Sequence, residues 1–162
     1  MAKIVVVSGF FDPLHIGHLI HFRKARSLGD KLIVIVNTDE QGMLKKGFNL
    51  MPEADRLKLI RALKEVDEAI LAVDKDYCVA KTLKLLRPDI FAKGGDRTLM
   101  NLPPAEIAVC HDIGCEIVTG MGEDPPYHSS EDYIIKLLKH ADEIKAKIRR
   151  RHAKHKKGSG YA

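Results

Sequence analysis

No apolar stretch in this chain approaches the length of a membrane span, and Lys3 precedes only four consecutive strongly apolar residues, so a secretory leader is not expected either. The expected compartment is the cytoplasm. Cysteine is scarce: Cys78, Cys110 and Cys115 are odd in number and form no Cys-x-x-Cys pair, which argues for reduced thiols and against a disulfide framework or a structural metal. Internal repeats and low-complexity segments are also missing ahead of the C-terminal end. Acidic residues run short in one place only. Residues 1–135 carry 17 Lys/Arg and 20 Asp/Glu, whereas residues 136–162 carry 10 and 2, so the net charge of +5 belongs to the C-terminal end. Such a run is either a solvated helix end or a contact for an anionic partner such as nucleic acid or lipid headgroups.

What is present is a composition of 45% apolar and 30% charged residues over 162 positions, which fits one globular domain with a sizeable core. Ile4-Val5-Val6-Val7 is a short β-branched run of the kind that forms a buried parallel strand, and Leu19, Phe22, Ala25 and Leu28 then recur at helical spacing. Further strands are expected at 31–36, from 66 onward, at 90–92 and at 115–119. Pro52 at a first helical position is expected to open a helix over 53–64. Other helices are expected after an Asp74–Asp76 cap to Leu86, from Pro103-Pro104 to about Gly114, and over 133–148. Residues 41–51 show no clear periodicity and read as a flexible loop. The alternation predicts a single Rossmann-like α/β domain, a five-stranded parallel sheet with helices on both faces, over 1–140, followed by a basic helix end and tail over 141–162.

The chemistry concentrates in Gly9-Phe10-Phe11-Asp12-Pro13-Leu14-His15-Ile16-Gly17-His18, a strand-to-helix turn. The unpaired N–H groups and positive dipole end of the following helix make an anion site there, with Gly9 admitting close approach and Gly17 keeping the entrance clear. If the helix begins near Pro13 or Leu14, His15 and His18 share a face at its start, where the dipole disfavours the imidazolium and leaves N–H donors for phosphoryl oxygens. A turn histidine beside a half-buried one is the plainer alternative. A zinc site lacks a nearby third ligand.

The ten-residue string resembles the signature of the nucleotidyltransferase superfamily that includes glycerol-3-phosphate cytidylyltransferase, pantetheine-phosphate adenylyltransferase and the adenylyltransferase of heptose nucleotide synthesis, and its His-x-Gly-His element is complete. That resemblance implies transfer of a nucleoside monophosphate from an NTP to a phosphorylated small molecule with release of pyrophosphate. It implies catalytic roles for His15, His18 and Lys45, and nucleotide contacts at Gly9, Phe10, Phe11, Asp12, Gly17, Gly94, Asp96, Ser129 and Ser130. It also implies phosphate contacts at Lys46 and at Arg56, the latter in a Glu-x-x-Arg setting at 53–56. Mg²⁺ carried on the phosphates and a homodimer are implied as well; no residue is assigned as a metal ligand. Lys93-Gly94-Gly95-Asp96 after Pro88-Asp89-Ile90 looks most like the heptose branch, favouring ATP and a sugar phosphate. A CTP-dependent enzyme acting on a polyol or amino-alcohol phosphate is the alternative, and a non-catalytic nucleotide- or nucleic-acid-binding module using the basic tail is a third. Tyr127-His128 stands where the family carries a glycine ahead of its serine-rich turn, although Ser129 with Asp132 also forms a capping box.

Overall fold

The computed structural model describes residues 2–95, 97–122 and 129–158, in two compact units, Met1–His128 and Ser129–Ala162. In the first unit β1 (Ile4–Gly9), α1 (Ile16–Arg26), β2 (Lys31–Val36), α2 (Asp39–Lys46), α3 (Glu53–Arg61) and β3 (Glu68–Leu71) are followed by α4 (Ala80–Leu86), β4 (Ile90–Ala92), a 3-10 turn (Leu99–Asn101), α5 (Pro104–Ile113) and β5 (Glu116–Val118). All strand pairs are parallel, in the order β3-β2-β1-β4-β5.

Burial on both faces explains why the strands read as continuous apolar runs. Val5, Val7, Leu32 and Val34 pack with Phe22 and Ala25 of α1 and Ile60 of α3 on one face; Val6, Ile33, Ile35 and Phe91 pack with Val79, Leu83, Val109 and Cys110 beside α4 and α5 on the other. The doubly wound sheet expected from the alternation is therefore formed. Strand order reverses between β1 and β4, and a crevice opens at the carboxyl ends of strands at such a point. Ser8-Gly9 and Lys93-Gly94 lie at those ends.

Several expected boundaries differ. Residues 41–51 are not a flexible loop throughout: α2 starts at Asp39, where Thr38 Oγ1 accepts from Gln41 N–H at 3.2 Å and Gln41 Oε1 accepts from Thr38 N–H at 2.9 Å, and ends on left-handed Gly47 (φ 77°). These cap signals outweigh the helix-weakening Gly42, whose missing Cβ makes room for Asn49, Oδ1 of which would lie 1.9 Å from it. Pro52 caps α3 rather than occupying its first turn, and α1 begins at Ile16 with His15 as its cap. The third strand covers 68–71 and the fifth 116–118. In the second unit the helix expected over 133–148 is two, α6 (Ser130–Lys139) and α7 (Ala141–Gly158), interrupted at His140 (φ −111°, ψ 13°).

Asp74, Asp76 and Cys78 could bring three ligand atoms within 4.8 Å of one another, yet Asp74 is already occupied. Its carboxylate accepts from Lys81 N–H at 2.7 Å, Thr82 N–H at 3.0 Å and Thr82 Oγ1 at 2.5 Å, while Thr82 Oγ1 accepts from Val73 N–H at 2.9 Å. It is a buried tie from the end of β3 to the first turn of α4. Asp74→Ala, leaving those donors buried and unpaired, is expected to cost about 2–3 kcal/mol in urea unfolding.

Candidate active site

The turn after β1 is held by a pair of histidines that cap one another's backbone. His15 Nδ1 accepts from Gly17 N–H at 3.1 Å, and His18 Nδ1 accepts from His15 N–H at 3.2 Å, the reciprocal arrangement of a capping box built from imidazoles. A ring nitrogen that accepts cannot carry the proton of a neutral imidazole, so in both rings the proton sits on Nε2. The rings lie 3.7 Å apart between centroids, tilted by 36°. Two N–H donors are thereby prepared at one helix start.

His18 is kept neutral. Burial, followed by the neighbouring His15 and His21, pushes its pKa down to about 3. Phe11 props it from below, with its ring edge-on to His18 at 5.0 Å and to Phe22 at 5.2 Å. Phe11, expected at the nucleotide, is only 3% exposed, with its side chain packed in the core. Gly9 likewise serves Phe11: a Cβ there would stand 2.8 Å from that ring, in space expected to receive a ligand. Phe11 takes up a left-handed conformation (φ 52°), which lets the chain turn back beneath its own helix.

Asp12 and the α2–α3 segment form the opposite wall. Asp12 is buried and accepts from Leu50 N–H and Met51 N–H, both at 2.8 Å, and from Lys46 Nζ at 3.2 Å. Lys45 and Lys46 stand over the Phe10 ring at 5.2 and 5.1 Å. The Lys45 ammonium is held below the usual lysine value, first by burial and then by Arg97 and Lys93. Ordering two lysines on a capped helix around Phe10 suits them to a polyanion.

Arg56, expected at a phosphate, is placed behind the turn. It is 1% exposed, and its guanidinium donates to Met51 O, Phe10 O, Asn37 O and Asp39 Oδ1 at 2.6–3.0 Å. It ties the turn, β2 and the α2–α3 loop together from behind. Gly17 supplies the N–H that His15 accepts. Gly94 packs against His21, whose ring a Cβ would meet at 2.9 Å. Asp96 lies outside the described residues, as do Tyr127 and His128. Ser129 and Ser130 fall in the second unit, where Ser129 caps α6 in a capping box with Asp132.

The profile of the cytidylyltransferase-like family matches residues 6–151. The chain belongs to that family. Among curated members, the FAD synthase of Methanopyrus kandleri is 34% identical over 120 residues, spanning 72% of this chain and 79% of its own. The bifunctional protein HldE of Citrifermentans bemidjiense is 38% identical over 118 residues, 72% of this chain but only 24% of that longer protein. A lipopolysaccharide core biosynthesis protein from Thermoplasma volcanium, solved by crystallography, aligns at 31% identity with a TM-score of 0.66, covering 76% of this chain and all of that one. This family member therefore carries the fold and turn expected of a nucleotidyltransferase. Among the described residues no helix is long and apolar enough to cross a membrane.

Sequence reasoning gave no site role to Glu106 and His21 and none of its own to Lys93 beside the turn. Lys93 Nζ lies 3.2 Å from Ser8 Oγ and 3.3 Å from Glu106 Oε2, over the Phe91 ring at 4.4 Å, so a nearly buried ion pair closes the sheet edge between β1 and β4. Glu106 Oε1 also accepts from Val79 N–H at 3.1 Å. His21, one turn beyond His18, lies 3.3 Å from the Met121 carbonyl through Nδ1, which must donate there, and burial brings its pKa to about 4. Lys93 was legible as part of a motif, but nothing in one sequence pairs it with Glu106.

Two outcomes follow from this burial. An unfolded histidine gains its proton near 6.5, folded His18 and His21 only near 3 and 4, so over that window the unfolded chain binds more protons. Stability is then full above about pH 6.5 and falls as pH drops towards 4, which urea midpoints measured across that range will show, with a shallower fall in His21→Phe. Arg56→Met, which removes the donor to three backbone carbonyls, is expected to lower unfolding stability by about 2–3 kcal/mol.

Proposed function

We propose that the protein transfers the adenylyl group of ATP to a small phosphomonoester, with FMN as the favoured acceptor. A phosphate oxygen of the acceptor attacks the α-phosphorus in line; the bond to the bridging oxygen breaks, and its electron pair leaves with pyrophosphate. The observation that carries this reading is the reciprocal capping of His15 and His18, which engages both Nδ1 atoms as acceptors and leaves Nε2 as the donor of each neutral ring. Their Nε2–H groups donate to non-bridging oxygens where charge builds, and neither ring has to exchange a proton to do so. Lys45 and Lys46 offset charge on the polyphosphate from the α2 side. Support for adenylyl transfer comes from the FAD synthase and HldE relatives, and support for FMN from the FAD synthase match, which spans most of that protein's length. A sugar phosphate is the second reading, favoured by Lys93-Gly94-Gly95-Asp96 and by the HldE match.

Asp12 is buried and accepts from Leu50 N–H, Met51 N–H and Lys46 Nζ, which gives this carboxylate a positioning role in the turn. Magnesium belongs to this reading as part of the nucleotide substrate, neutralising the triphosphate.

Pyrophosphate release, crossing ATP and CTP with FMN, sugar phosphates, and polyol and amino-alcohol phosphates, tests the assignment. Strong release with ATP and FMN is expected. Release only with a sugar phosphate would replace the acceptor, and silence across the panel from folded protein would overturn the reading. His18→Ala should lose about a hundredfold or more in kcat; a folded variant with full turnover would remove His18 from the chemistry.

A further inference from the structure

The crevice at the strand ends has two faces, and the histidine pair belongs to only one of them. Alternation along β1 and β4 assigns the faces. Val5 and Val7 pack with α1 and α3, as does Phe11 beneath His18, whereas Val6 and Phe91 pack with α4 and α5. Ser8 and Lys93 stand two residues beyond Val6 and Phe91, so they carry the α4–α5 face on to the carboxyl ends of these strands. The contacts agree: Lys93 Nζ lies over the Phe91 ring at 4.4 Å and reaches Glu106 Oε2 on α5 at 3.3 Å.

An ammonium has three N–H donors. On Lys93 two of them go to Ser8 Oγ at 3.2 Å and to Glu106; among the described residues the third has no acceptor, and 12% of the side chain stays open. Glu106 is fixed in turn, because Oε1 accepts from Val79 N–H and its side chain is 4% exposed. A pair this buried adds little to stability over an apolar pair of the same volume. The charge around it is also unbalanced. Arg97 bears on the Lys93 ammonium, and after burial it is Arg97 and Lys93 that hold the Lys45 ammonium of α2 below its usual value. Three cations about one carboxylate repel one another, a cost that a bound phosphate dianion offsets.

We infer that Lys93, aimed by Glu106 and Ser8, receives the phosphate of the acceptor. This rests on the phosphomonoester acceptor proposed above and adds where that phosphate is held. In-line displacement puts the attacking oxygen and the leaving pyrophosphate on opposite sides of the α-phosphorus, so two anions have to be held apart. The histidine pair and the α2 lysines serve the triphosphate, and Lys93 on the other face serves the second anion. Glu106 is a positioning residue here: it keeps the ammonium charged and pointed, and touches neither reactant.

Flavin fluorescence titrations of the full chain test this, using FMN and riboflavin, which lacks the phosphate, with an α,β-methylene analogue of ATP present so that no transfer occurs. The wild type should bind FMN more tightly than riboflavin. Lys93→Met combined with Glu106→Gln removes both charges together, and glutamine still accepts from Val79 N–H, so no buried charge or donor is stranded. That double variant should lose about tenfold to a hundredfold in FMN affinity and nothing in affinity for riboflavin or the ATP analogue. Lys93→Arg should keep most of the margin of FMN over riboflavin. Glu106→Gln alone gives a readout that a merely structural pair would not move. Without its carboxylate the ammonium, which faces Arg97, Lys45 of α2, His21 of α1 and the Cys110 thiol of α5, gives up its proton more readily, and only the protonated form attracts phosphate. The margin in this variant should therefore fall as pH rises from about 7 to about 9, while that of the wild type stays flat. A wild type that binds no FMN overturns the FMN reading and this inference together. A wild type that binds FMN more tightly than riboflavin, with a double variant that keeps the margin, overturns this inference alone, as does a loss that falls on the ATP analogue instead.

Discussion

Two hydrogen bonds hold the functional turn: Gly17 N–H to His15 Nδ1, and His15 N–H to His18 Nδ1. Helix starts leave backbone donors without partners, and serine, threonine or aspartate usually meets them. Using imidazoles instead does more than satisfy the backbone. It spends Nδ1 on structure and so commits the proton to Nε2, turning a capping requirement into a chemical one. A side chain that only capped, such as serine, would satisfy the same backbone groups and leave no N–H donor of this kind at the site.

The surroundings make sense as support for that pair. Phe11 is folded under His18 at the expense of a left-handed backbone, and Gly9 is glycine because Phe11 needs the space. Asp12 gathers Leu50, Met51 and Lys46, and Arg56 braces the same loop from β2, so α2 is presented with Lys45 and Lys46 beside Phe10. Burial then keeps His18 unprotonated at the pH of use, which a solvated histidine would not guarantee.

The sheet and the strand-to-helix turn were legible because buried parallel strands leave continuous β-branched runs and because the helical spacing resumes directly after the first of them. What stayed illegible has physical reasons. Residues 41–51 looked like loop because Gly42 and the lysines hid a Thr38–Gln41 capping box. The ties of Arg56 to Met51, Phe10, Asn37 and Asp39 were not legible because a sequence shows charge and position but not which way a guanidinium turns. At Phe11 and Gly9 a packing requirement falls on residues that the sequence shows only as expected ligand contacts. The Lys93–Glu106 pair joins a strand end to a helix start through a loop, and no spacing rule anticipates it. The interruption at His140 also left no signal, since the apolar period runs through it unbroken.

The most direct measurement is the ¹⁵N spectrum of the imidazoles of His15 and His18 in the free protein at neutral pH, read through long-range couplings to the ring protons. Reciprocal capping requires both rings in the Nε2–H form, with each Nδ1 shifted as a hydrogen-bond acceptor. A proton on Nδ1 of either ring, or rapid exchange between the two forms, would contradict the assignment of these residues as prepared donors.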